Sequence, residues 1–359
     1  MRRVLPIVIL ISAAIAGGCA AQERTGTEVP ASFDRLFDHL GDFPLGPATS
    51  RTDYLSLDPT TQQLYIAKMG AGELLRFDLA ADKLVAQLEG FPKVTGVLVV
   101  PDLHRIYASV PGAGLLPSLS VALGMAGLSS GRGAIAILDT GDLHEVARAP
   151  GGVFPDGIAY DSKHRKVFVS DEPGAGILVI DVDADRLLAR IAAGGEVGNV
   201  QYDPTSELVY APIQSRNELA TIEPTDHRVL DRHVLPGCRH PHGLAIAPGG
   251  EIGYVACDRN DRLLTVALAS GKVLDQKPLG RDPDVLAIDP AAARLYVASE
   301  SGQLSIFDIR NAAAPVSLGD VFVGKNAHSL AVDPTSHRLY FPLADEDGKS
   351  VLRVLSPRF

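Results

Sequence analysis

Short apolar runs of four to six residues, each closed by a turn, recur along most of the chain. The stretch Arg281 to Glu300, RDPDVLAIDPAAARLYVASE, shows the unit. Val285–Ile288 and Leu295–Ala298 flank an Asp289-Pro290 turn, which predicts two antiparallel strands and their connection. Aligning the turn position gives Asp58, Val100, Asp161, Asp203, Ala247, Asp289 and Asp333, spaced by 42, 61, 42, 44, 42 and 44 residues. Seven copies at a period of about 40–45 residues predict an all-β fold, a seven-bladed β-propeller with four-stranded antiparallel blades. Helical repeats of similar period are the alternative, but Val, Ile, Leu and Tyr alternate here as they do in strands.

The fourth strand of a unit is carried by Lys83–Leu88, Arg186–Ile191 and Arg228–His233, and the same pattern stands at Arg35–Leu40, ahead of the first unit. The last unit shows strands near Ser329–Val332, Arg338–Leu343 and Val351–Leu355, with no fourth before Phe359. The N-terminal strand is therefore expected to complete the last blade and close the ring, removing the unpaired edges of an open array. One interval is long because residues 111–132 are inserted after the second strand of blade 2. Leu116, Leu119 and Leu123 have the spacing of a short helix. The insert reads either as a lid over the propeller mouth or an apolar contact for a membrane or partner, or as a decoration packed on its own blade. It contains Gly127-Leu128-Ser129-Ser130-Gly131, but nothing around it supplies the strand and long helix of a nucleophile elbow, so Ser129 is not read as a nucleophile.

Ahead of the repeats, Arg2 and Arg3 precede an apolar run from Val4 to Ile15 and small residues before Cys19. This predicts an export signal over residues 1–18, since the run is shorter than the ~20 residues of a membrane span. Ala16-Gly17-Gly18-Cys19 resembles a bacterial lipobox with Cys19 as the lipidated residue, and cleavage near Ala21 is the alternative. Residues 19–32 read as a flexible tether and 33–359 as the propeller. The expected location is exported and periplasmic, with a lipid on Cys19 as the membrane anchor.

Without the signal the formal net charge moves from −10 to −12, and no Lys/Arg run or basic strip occurs, so nucleic acid is not an expected partner. Cys238 and Cys257 fall at one end of blade 5, and in an oxidising compartment such a pair reads as a disulfide, with a buried free pair as the alternative. No P-loop, H-E-x-x-H, C-x-x-C or dinucleotide fingerprint is present. Asp181-Val182-Asp183-Ala184-Asp185 lacks the glycine and glutamate of a calcium loop and aligns with a turn of blade 1.

Candidate chemistry then rests on what the ring gathers at one mouth. The residues leading into the innermost strands are Asp53, Thr95, Asp156, Gly198 with Asn199, His242, Asp284 and His328. A second column, just after the second strands, reads Met69, Pro111, Glu172, Gln214, Asp258, Glu300 and Ala344. Asp53, Asp156, Asn199, Asp258 and His240 are thus candidate ligand-binding residues. His242, Asp284 and His328, in one register of blades 5, 6 and 7, are candidate ligands of one divalent metal ion, with Glu172 and Glu300 as candidate proton acceptors for a bound water. Turn-capping by the same Asp and His side chains is the bland alternative.

The repeats Asp289-Pro290…Leu295-Tyr296-Val297-Ala298-Ser299, Asp203-Pro204…Val209-Tyr210 and Asp333-Pro334…Leu339-Tyr340 resemble the YVTN-type, YncE-like seven-bladed propellers of exported bacterial proteins. The likeness covers Arg35 to the C-terminus, although no unit carries a literal Tyr-Val-Thr-Asn. It implies an exported binding or scaffold propeller. The chain has no tryptophan, unlike Trp-Asp repeat propellers and quinoprotein dehydrogenases. Two functions are expected to compete: a protein that binds a small molecule, glycan, peptide or protein ligand at the channel mouth, and a metal-assisted hydrolase of lactonase type using the same mouth.

Overall fold

The computed structural model describes residues 33–112 and 132–359. The export signal, Cys19, the tether and most of the blade 2 insert, with its Ser129, lie outside the described residues.

Seven four-stranded antiparallel sheets follow one another in the chain. Blade 6 shows how the sequence unit folds. Pro283–Asp289 pairs with Arg294–Ser299, which pairs with Gln303–Asp308, which pairs with Val316–Phe322. The Asp at the first turn recurs because its carboxylate accepts backbone N–H groups that the turn leaves unpaired. Asp289 accepts from Ala292, Asp203 from Thr205 and Ser206, and Asp333 from Thr335. Asp58, Asp161, Asp203, Asp289 and Asp333 are all buried, so losing this satisfaction would leave orphaned donors inside the protein.

Strand position within a blade dictates its pattern. The second strands, such as Gln63–Lys68 and Arg294–Ser299, are buried on both faces because a neighbouring blade covers each face. They read as continuous apolar runs for that reason. Fourth strands such as Lys83–Glu89 and Lys272–Pro278 alternate exposed and half-buried side chains, as an outer strand with one covered face must.

The core is divided among the seven gaps between blades. One cluster joins blades 6 and 7 through Tyr296, Leu304, Leu339 and Phe341, and another joins blade 7 to blade 1 through Tyr340, Leu352, Leu64 and Phe77. The second of these is the contact that makes the array a ring. Closure comes from the N-terminal strand Phe37–Pro47, which runs antiparallel to Lys349–Pro357 from the pair Phe37↔Pro357 to Pro47↔Lys349. The strand is longer and starts later than the sequence suggests. Phe33–Leu36 forms a helical turn, and the partner strand extends to Pro357, which carries the pairing on to Pro47.

Candidate functional site

Each innermost strand begins beside the end of its blade's second strand, as the register pairs Pro155↔Asp171, Pro241↔Cys257 and Pro283↔Ser299 show. Both columns of side chains therefore reach the same end of the ring. The innermost strands also come very close there. A Cβ on Gly243 would lie 2.1 Å from the carbonyl oxygen of Asp284, and one on Gly198 would lie 2.4 Å from that of His242. Glycine lets the next blade's site residue seat against its neighbour's backbone.

The two columns line a cavity of about 530 Å³. Asp53, Asp156, His242 and Asp284 line it from the first column, and Met69, Glu172, Gln214, Asp258 and Glu300 from the second. His240 lines it too, with Nδ1 2.8 Å from an Asp258 carboxylate oxygen. Thr95 and Pro111 of blade 2 are not among the lining residues, so the cavity leans toward blades 3 to 6 and blade 1. Asn199 and His328 are buried and sit behind the wall. Asn199 accepts a hydrogen bond from the Tyr54 hydroxyl, which reaches from blade 1 to blade 4 as a bar across the ring.

Arg51, Tyr54, Phe154, Asp282 and Pro283 complete the lining, and strand periodicity does not mark them. One signal does exist for two lining positions. His240 and Asp282, like Lys93 and Asn326, stand two residues before a first-column residue and adopt left-handed backbone, with φ of 61°, 54°, 58° and 58°. Asn and Asp tolerate that conformation better than most residues, so a polar residue at that offset is a readable feature.

Arg51 organises the carboxylates. Its Nη1 lies 2.7 Å from Glu300 Oε1, its Nε 3.5 Å from Asp53 Oδ2 and its Nη2 3.8 Å from Asp284 Oδ2. Glu300 is thus ion-paired, and Glu172 accepts a 2.9 Å hydrogen bond from Gln214 Nε2. His242 Nε2 is 3.1 Å from Asp284 Oδ1, an ion pair that is the one close contact of that oxygen among the described residues. Burial disfavours charge on both groups, yet their mutual attraction prevails. It raises His242 to about 10 and lowers Asp284 to about 2. Asp156 goes the other way. Burial first, then the carboxylates of Asp53 and Glu172, push it well above the usual carboxylate range. His328 is opposed by burial and by Arg51, but its contact with Asp53 and the charge of Asp284 raise it.

Of the three residues anticipated as metal ligands, His242 approaches Asp284 alone closely. The described residues that bring ligand atoms within 4.8 Å of one another at this end are Asp284, Glu300 and His328. Cys238 and Cys257 are joined by a disulfide with Cα atoms 5.4 Å apart. It ties the loop before His240 to the strand before Asp258.

No protein-family model matches the chain. The chain is 25% identical over 99 residues to the uncharacterised protein YncE of Salmonella typhi. That match takes in 28% of this chain and 27% of the relative, so it spans about a quarter of the relative's length. Among solved structures, streptogramin B lyase superposes with a TM-score of 0.69 at 13% identity, covering 90% of this chain and 98% of the other. Hydrazine synthase of Kuenenia stuttgartiensis gives 0.66 at 16% identity, covering 89% and 95%. At such identities the likeness is one of fold. The sequence match and the seven-bladed ring together support a YncE-like propeller.

Proposed function

We propose that this YncE-like propeller is a binding protein whose cavity takes a small organic ligand rich in hydrogen-bond donors, a cation in preference to an anion. The observation that carries this reading is an excess of acceptors. Asp53, Asp156, Glu172, Asp258, Asp282, Asp284 and Glu300 line the cavity, against one permanently charged cation, Arg51. One buried acceptor, Gln214 Oε1, has no donor among the described residues, and Asp284 Oδ1 meets only His242 Nε2 at 3.1 Å. An unfilled buried acceptor costs about 1–3 kcal/mol, and a ligand N–H or O–H recovers it. Tyr54, Phe154, Met69 and Pro283 give the same space apolar walls, and its volume suits a small molecule.

The proteins that share the fold carry unlike names, a lyase and a hydrazine synthase, so fold likeness selects no chemistry. A metal-assisted hydrolase of lactonase type is the second reading, favoured by the grouping of Asp284, Glu300 and His328.

Thermal-shift measurements with small amines, guanidines and neutral sugars, set against dicarboxylates and sugar phosphates, test the binding reading. Donor-rich compounds should raise Tm, and Glu172→Gln should weaken the best of them about tenfold or more. Stabilisation by the anions alone would overturn it.

A further inference from the structure

We infer that a divalent cation binds at the junction of blades 6, 7 and 1, held by Asp284, Glu300 and His328 with Asp53 alongside. This rests on reading the cavity as a ligand site and gives that site an inorganic component.

The geometry begins with His328, which is 1% exposed. Its Nδ1 lies 2.9 Å from the Asn326 carbonyl oxygen and 3.1 Å from Asn326 Nδ2, and in the tautomer that donates to the carbonyl the Nε2 lone pair is free. A backbone carbonyl holding the far nitrogen is the usual way a protein orients an imidazole for a metal. Nε2 is buried and has no hydrogen-bond partner among the described residues. Around it stand Asp53 Oδ1 at 3.8 Å and Asp284 Oδ2 at 4.0 Å. Such gaps are too long for direct hydrogen bonds. Two donor atoms each ~2.0–2.2 Å from a shared ion lie roughly 3–4 Å apart, so small side-chain rotations suffice to close the set.

Charge agrees with this. Asp53, Asp284 and Glu300 bring three negative charges, and Arg51 with the His242 imidazolium beside Asp284 brings two positive, so the cluster stays net negative. One imidazole with several carboxylates suits Mn²⁺ or Zn²⁺ better than a soft ion. His242, on the far side of Asp284, is outside the set. The other grouping of ligand atoms, Asp139, Asp142 and His144, is on the surface of blade 2, and its residues have no buried unpartnered atom.

Calorimetric titration of the metal-stripped protein with MnCl2 or ZnCl2 alone tests the inference. One ion per chain should bind, and His328→Gln and Glu300→Gln should each lower affinity at least about tenfold. Asp142→Asn should leave it unchanged. Glu300 is partly exposed, so its variant keeps the test open if the His328 variant fails to fold. No binding up to ~1 mM metal, unchanged affinity in the Glu300 variant, or loss of binding in the Asp142 variant would each overturn the inference. If donor-rich organic compounds bind while neither ion does, only the ion falls. If the ion binds and those compounds do not, the ion stands and the preceding reading falls.

Discussion

The carbonyl of Asp284 rests where a side chain on Gly243 would begin, and this single contact sets how far the carboxylate of blade 6 reaches toward His242. Gly243→Ala would place a Cβ 2.1 Å from that oxygen, which only backbone movement can relieve. The expected cost is roughly 1–3 kcal/mol of stability, the scale of overpacking in a tight interior. The displaced Asp284 should also bind its ligand more weakly. Chemical denaturation beside the ligand panel checks both, and a variant as stable as wild type would show that the inner strands tolerate the shift. At this scale the sequence is legible in part. Asp53, Asp156, His242 and Asp284 could be placed at the cavity because the repeat register decides which residue leads into each inner strand. Arg51 could not, since the offset two residues before Asp53 marks its backbone position but not where a long flexible side chain ends. Nor does register distinguish His242, which lines the cavity, from His328, which is buried behind it.

Strands were easier to read than side chains because burial leaves its mark on every residue of a strand. Second strands covered on both faces give unbroken apolar runs, and outer strands alternate. The helical turn at Phe33–Leu36 was hidden because four residues are too few to show a period, and the segment shares its composition with true fourth strands. Among the connections, the one with the clearest energetic role is the disulfide. It closes a separation of 19 residues and clamps His240 against Asp258. Loop-closure entropy for a loop of that size is worth about 3 kcal/mol. The double variant Cys238→Ser, Cys257→Ser should therefore lose stability on that scale in urea denaturation. Equal stability of the two proteins would mean that the folded blade alone fixes the loop.

For the molecule as a whole, the decisive feature is that the last gap between blades is packed like the others, with Leu45 of the closing strand buried in it. A seven-unit array lacking that strand would leave Lys349–Pro357 as an open edge and uncover Phe37 and Leu45's surroundings. Deleting residues 33–43 should abolish the cooperative thermal transition or cause aggregation, and a wild-type transition in that variant would refute closure as the source of stability. Acid probes the same joint more gently. Arg353 Nε donates to Asp42 Oδ1 at 2.8 Å and Nη2 to Oδ2 at 2.5 Å, which holds Asp42 below its ordinary carboxylate value. A carboxylate depressed in the folded state stabilises the fold above its unfolded pKa and stops doing so as pH falls through the folded one. The contribution is thus present at pH 7, begins to fall near the unfolded value of about 4, and is lost as pH drops through the lower folded one. Asp42→Asn should cost up to about 1 kcal/mol at neutral pH, because the pair is only partly shielded from water. Melting curves of the variant and wild type should differ at pH 7 and draw together in acid, as the wild-type carboxylate takes up its proton. A difference that persists unchanged into acid would mean that Asp42 acts through its shape and hydrogen bonds, and that the ring closes without help from its charge.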